Sequence, residues 1–292
     1  MALSDNLRGA ALMTAAMVAF TCNDAFMKAA TATLPVFEAI VLRGILTTLA
    51  LAALAWRMGA LSLSVPPGDR FWVALRVVGE VSSTYTFLFA LKHMQIANLS
   101  AILQFLPLAV TLTAALLLGE KIGWRRLSAI LVGFVGVMLI VRPGTDGFDR
   151  WSALGLLSVA GVVVRDLSTR RISRKVPSLT VAFLAALSVT LGAALALPFT
   201  EVAPVSAQQA LQIVGASAFI IIGYLTVVMS MRVGEVSIVA PFRYTSLVAA
   251  ILLGWLFFGQ WPDRLTLIGA AIVVATGIYT FYRERKLAQA RG

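Results

Sequence analysis

Long apolar stretches recur along the chain, separated by short polar breaks. Ten are present, at about 9–29, 35–56, 70–91, 96–119, 124–142, 152–172, 178–199, 208–231, 236–259 and 263–282. A helix needs roughly 20 apolar residues to cross the hydrocarbon core. In lipid, only helices and closed barrels satisfy their own backbone groups. Continuous runs of this length predict helices, hence an all-α integral membrane protein with ten transmembrane helices. The connectors are short ("KHMQ", "GEKIG", "RPGTDGFDRW") and leave no room for a soluble catalytic domain. The first apolar stretch is too long for a cleaved signal peptide and lacks its cleavage pattern.

Composition sharpens this class. The chain of 292 residues is 60% hydrophobic and 13% charged, against about 45–50% and 25% in soluble domains. The net charge of +11 does not point to nucleic acid, because the basic residues sit between apolar runs rather than on one polar face. They read as topology signals. One side collects Arg8, Arg57, Arg70, Lys121, Arg125, Arg126, Arg170, Arg171, Arg174, Lys175, Arg232, Arg283, Arg285, Lys286 and Arg291. The other has only Lys28, Lys92, Arg142, Arg150 and Arg264. Both termini are therefore expected in the cytoplasm. The lone Cys22 and single histidine exclude a disulfide framework and argue against a His/Cys metal site. No Walker pattern is present, and no cofactor is expected.

The chain also matches itself. Shifted by 142, Asp24 falls on Asp166, Lys28 on Arg170, Pro35 on Pro177 and Thr48 on Thr190; shifted by 140, Thr86 falls on Thr226 and Leu127 on Leu267. This predicts two five-helix units, 1–147 and 148–292. Five is odd, so the second unit enters the membrane from the opposite side. Inverted repeats of this kind are common in secondary transporters, whose substrate site lies near the midplane between them.

Particular stretches carry a family resemblance over essentially the whole chain. "FLPLAVTLTAALLLGEKI" (105–122), "APFRYTSLVAAILLGWLFFGQ" (240–260) and "ALKHMQIANLSAIL" (90–103) resemble the drug/metabolite transporter superfamily with two EamA domains, amino-acid exporter branch (YddG-type). Two positions depart from the pattern: Gly259-Gln260 replaces Gly-Glu, and Leu247 stands where the first unit has Pro107. The resemblance implies a ten-helix basket, alternating access and export of amino acids or similar metabolites from a bacterial inner membrane. It places helices five and ten at the periphery, in a monomer or homodimer, with protons as a candidate coupling ion. Drug efflux or uptake of another metabolite is the alternative. A lipid-modifying enzyme would need clustered acids or a nucleophile–base pair, which the scattered acids and lone histidine do not supply.

Ionisable groups inside a span cost roughly 2.5–3.5 kcal/mol on insertion scales, so they tend to face protein, partner or water. Glu80 is the deepest acid: a proton-coupling or amine-binding group, or the structural partner of Arg76 one turn earlier. Asp24 with Lys28, and Asp166 with Arg170, are expected on shared faces at opposite membrane sides, as gates or as local salt bridges with the bases snorkelling outward. Arg165 is a neutraliser of Asp166. Arg43 and Arg243 are candidates for holding a substrate carboxylate. Arg43 alternatively pairs with Asp24, and Tyr244 is a candidate stacking ring. Asn23, Thr84, Tyr85, Gln104, Tyr224 and Ser246 are uncharged candidates, for cavity contact or for helix–helix hydrogen bonds. Trp56, Trp124, Trp151 and Trp261 read as interface anchors.

Overall fold

The computed structural model describes residues 3–57, 65–118, 123–142, 150–173, 176, 178–233 and 236–289. The expected Gly119-Glu120 pair and the boundary between the two units lie outside them. The described residues form twelve α-helices and no strand. These are α1 (Leu3–Thr31), α2 (Val36–Arg57), α3 (Arg70–His93), α4 (Ile96–Leu103), α5 (Leu106–Leu118), α6 (Trp124–Val141), α7 (Arg150–Arg171), α8 (Ser178–Ala196), α9 (Ala207–Val233), α10 (Val236–Val239), α11 (Thr245–Phe258) and α12 (Arg264–Gln289).

Among them, eight segments are long and apolar enough to cross a membrane, against the ten expected. The two others are helical but differ in character. α3 carries Arg70, Arg76, Glu80 and Lys92, which lower its hydropathy, and the apolar part of α6 is only Leu127–Val141. Large apolar side chains such as Leu49, Leu116, Leu195, Phe257 and Trp255 point outward, as lipid-facing surfaces require.

Two spans are broken. α4 stops at Gln104 and the chain resumes as α5, with Pro107 in its first turn. Proline is tolerated there because the first-turn N–H groups have no helical partner. Leu247 stands at the proline-equivalent position in the second unit, yet the break persists. A 3-10 turn over Ala240–Tyr244, with Pro241 near its start, separates α10 from α11. α11 ends at Gly259 with φ +61°, a left-handed cap that favours glycine.

Three pairs of neighbouring helices run antiparallel. On α1 and α9, the Ser230 hydroxyl donates to Gly9 O at 2.8 Å, whereas Phe26 stacks on Phe219. For α3 and α7, Ser173 N just past α7 donates to Asp69 just before α3, and Ser158 donates to Ser83 O further along. α6 and α12 meet Gly133 to Thr276 and Gly136 to Gly269. Close approach rests on glycine. A Cβ on Gly79 would sit 2.7 Å from Arg165 N, and one on Gly136 2.8 Å from Gly269 O. With no hydrophobic force between helices in lipid, such small-residue contacts let backbones pack.

These pairings define two ends of the bundle. The near end holds the starts of α1 and α3 and the ends of α7 and α9. The far end holds the turn from α1 to α2 and the end of α3. Met27, Leu34, Ile40, Leu88, Leu91 and Leu99 fill the far end, each at most 2% exposed.

Candidate functional site

A cavity of about 510 Å³ lies between α1, α2, α3, α7, α8 and α9, within the size range of small-molecule pockets. Its wall carries four arginines (Arg43, Arg76, Arg165 and Arg243) and three acids (Asp24, Glu80 and Asp166), with Asn23, Thr84 and Tyr224 beside them. Phe20 and Phe87 supply aromatic wall, and Phe20 meets Tyr224 edge-on at 5.5 Å.

The charges form a network toward the near end. Glu80 lies 3.5 Å from Arg76 and 3.6 Å from Arg165, beyond the usual hydrogen-bond distance of about 3.2 Å. Arg165 Nε donates to Asp166 at 2.9 Å, and Arg76 Nε to Thr169 at 3.0 Å. Arg165 therefore faces two acids rather than only its neighbour. Exposure rises along the same direction: the Asp166 and Arg165 side chains are 33% and 26% exposed, whereas Asn23 and Arg43 are 4% and 9% exposed. The cavity is closed at the far end and more exposed toward the near end.

Other expected residues lie elsewhere. Lys28 does not pair with Asp24 or reach outward. It is 7% exposed, and its Nζ donates to Leu91 O at 2.7 Å and Met94 O at 2.6 Å. Those carbonyls close the C-terminus of α3, where acceptors lack helical partners and the helix dipole favours a cation. Arg170 is exposed at the end of α7, while Asp166 is held by Arg165 instead. Tyr85 donates to Val189 O at 2.8 Å and packs on Phe37. Gln104 donates to Ser246 at 2.7 Å, and Ser246 to Arg243 O. Tyr244 is buried with its hydroxyl against Gly277 of α12, so its ring does not line the cavity. These four join helices. Trp151 is not a simple interface anchor; its ring lies parallel to His93 with centroids 3.6 Å apart.

Sequence reasoning missed Phe20, Phe87, Ser83, Ser158 and Thr190 on the wall. An aromatic or hydroxyl residue in an apolar run gives no signal of which way it faces. Arg76 was legible only as the partner of Glu80. Among the described residues no cluster of His, Cys, Asp and Glu is arranged to hold a metal.

Among the described residues, apolar helices surround a charged cavity, an arrangement suited to a carrier of small solutes. The chain belongs to the EamA-like transporter family, whose model matches residues 7–142 and 149–282. It is similar to the riboflavin transporter of Vibrio cholerae, at 31% identity over 74% of this chain and 72% of that protein. It also resembles the pseudopaline exporter of Pseudomonas aeruginosa (27%, covering 92% and 94%). The S-adenosylmethionine uptake transporter of Rickettsia conorii is 25% identical, covering 98% and 96%. One solved crystal structure shares the fold, with a TM-score of 0.63 and 22% identity over 98% of this chain and 99% of that one. The chain is thus a multi-pass membrane protein of a family of small-metabolite transporters. The relatives do not single out the amino-acid exporter branch.

Proposed function

We propose that the chain is a secondary carrier for zwitterionic metabolites of the amino-acid type, free or as part of a larger molecule, exporting them across a bacterial inner membrane by alternating access. The observation that carries this reading is the wall of four guanidiniums against three carboxylates. The excess cation suits a substrate carboxylate, the acids suit an ammonium, and Phe20, Phe87 and Tyr224 suit an apolar or aromatic body. A volume of about 510 Å³ accommodates more than a bare amino-acid head group.

The helix pairing supports two inverted five-helix units spanning ten times. At an offset near 140, α7 is the counterpart of α1 and α9 of α3. α1 packs on α9 and α3 on α7, the exchange that a two-fold relation generates. Antiparallel packing in each pair is what an axis lying in the membrane plane requires. Arg8, Arg57, Arg70, Arg171, Arg232 and Lys286 gather at the near end, which supports cytoplasmic termini and an inward-open state. Protons are a candidate coupling ion, and a monomer or homodimer is the expected assembly.

A neutral heteroaromatic substrate is the second reading, favoured by the Phe20–Tyr224 pair. Counterflow in liposomes with labelled amino acids, S-adenosylmethionine and riboflavin, with and without a pH gradient, separates the two. Exchange of riboflavin alone would overturn the zwitterion reading.

A further inference from the structure

The cavity's closed end holds groups that its own protein neighbours leave unpaired. Arg43 is 9% exposed and lines the wall. Its guanidinium has no hydrogen bond or ion pair among the described residues, although Asp24, Glu80 and Tyr224 are within electrostatic range. A guanidinium without a protein hydrogen bond is thus retained on the wall of a cavity. Asn23, 4% exposed, is the second such group. Its Nδ2 donates to Asp24 Oδ1 at 2.9 Å, and its Oδ1 is buried with no partner. The amide orientation is fixed by the neighbour: turning it would set oxygen against the carboxylate. An unmet acceptor therefore sits beside an acid.

The three residues share one level. Asp24 precedes the end of α1 at Thr31 by seven residues and Arg43 follows the start of α2 at Val36 by seven, so both lie roughly 10 Å from the turn at 1.5 Å per residue. The loose Arg76–Glu80–Arg165 cluster lies closer to the near end. An unmet donor set and an unmet acceptor set at one depth match the two charges on a single α-carbon.

Resting on the zwitterion reading above, we propose that Arg43 and the Asn23–Asp24 pair form a head-group clamp at the closed end of the cavity. Arg43 receives the substrate carboxylate bidentately. Asn23 Oδ1 and the Asp24 carboxylate accept from its ammonium. The remainder of the substrate extends past Phe20 and Tyr224 toward the Glu80 cluster. The deep end thereby selects the amino-acid head, and the wider near end admits varied bodies.

The test measures binding of three probes to the purified full chain in lipid nanodiscs: L-phenylalanine, 3-phenylpropionate without the ammonium, and 2-phenylethylamine without the carboxylate. Wild type is expected to prefer phenylalanine at least tenfold over either. Arg43→Gln should abolish the preference over 2-phenylethylamine, and Asn23→Leu should reduce that over 3-phenylpropionate at least fivefold. Arg43→Lys should restore part of the first. Because each readout is a ratio of two probes on one sample, partial misfolding does not imitate it. Unchanged ratios in both variants, with wild type discriminating, overturn the clamp alone. A wild type that binds none of the three overturns the amino-acid reading itself and the clamp with it.

Discussion

Thr48 on α2 and Thr190 on α8 face each other with hydroxyl oxygens 3.3 Å apart, although 142 residues separate them. Thr190 donates to Ala186 O within its own helix, so Thr48 is the donor across the gap. Each is the other's counterpart in the internal match of the sequence. Interhelical hydrogen bonds in membranes average about 0.6 kcal/mol. Thr48→Val and Thr190→Val should therefore couple by about that amount in a double-mutant cycle of unfolding in mixed micelles. Full additivity would place the contact outside the folded protein's energetics.

The α3–α7 contact leaves less tolerance. A side chain at Gly79 meets backbone atoms of Arg165 and Gly161, which cannot rotate away as a flexible side chain would. Gly79→Val should destabilise by about 1–3 kcal/mol, as overpacking does, and should displace Arg165 from Glu80. Transport is expected to fall more than tenfold, while Gly68→Val, with open space around it, leaves it unchanged. Counterflow rates normalised to folded protein check both.

Asp263, just before α12, accepts from Thr266 N at 2.8 Å and from the Arg142 guanidinium. Burial pushes its carboxyl upward, but these hydrogen bonds outweigh that and hold it below the usual carboxylate range. A group depressed on folding stabilises above its unfolded pKa, about 3.9, and the gain is lost as pH falls through the folded value. The Tm difference between wild type and Asp263→Asn should hence be flat from pH 8 to 5 and shrink only under stronger acid. A difference that disappears between pH 7 and 6 would contradict this.

How much of this was legible in the sequence follows from what periodicity and charge encode. Apolar runs fix where helices lie. Charges inside those runs flagged Asp24, Arg43, Glu80, Arg165, Asp166 and Arg243, because hydrocarbon makes them conspicuous. The direction in which a side chain points was not legible when helix ends supply the partner. Lys28 is one turn from Asp24, yet the bare carbonyls of α3 bind it, and those carbonyls leave no mark in local sequence. Tyr85, Gln104, Tyr244 and Ser246 were conspicuous for the same reason as the cavity residues but are used between helices. Polarity alone does not separate the two uses.

Lys28 carries the last prediction. Its two short hydrogen bonds join α1 to the end of α3 where the far end is sealed, and Phe258 of α11 lies beneath the ammonium at 5.8 Å. Hydrogen bonds from a charged donor contribute about 1.5–3 kcal/mol. In the alternating-access cycle proposed above, opening of the far end is expected to part this joint, so its strength would weigh on the closed side of the equilibrium. Lys28→Met removes the donors while keeping length and apolar bulk. It should shift the population toward far-end opening, read as at least fivefold faster labelling of a cysteine placed at Leu34 in a background with Cys22→Ser. If labelling is unchanged while Lys28→Met remains folded, the joint is a static strut and the far end opens elsewhere.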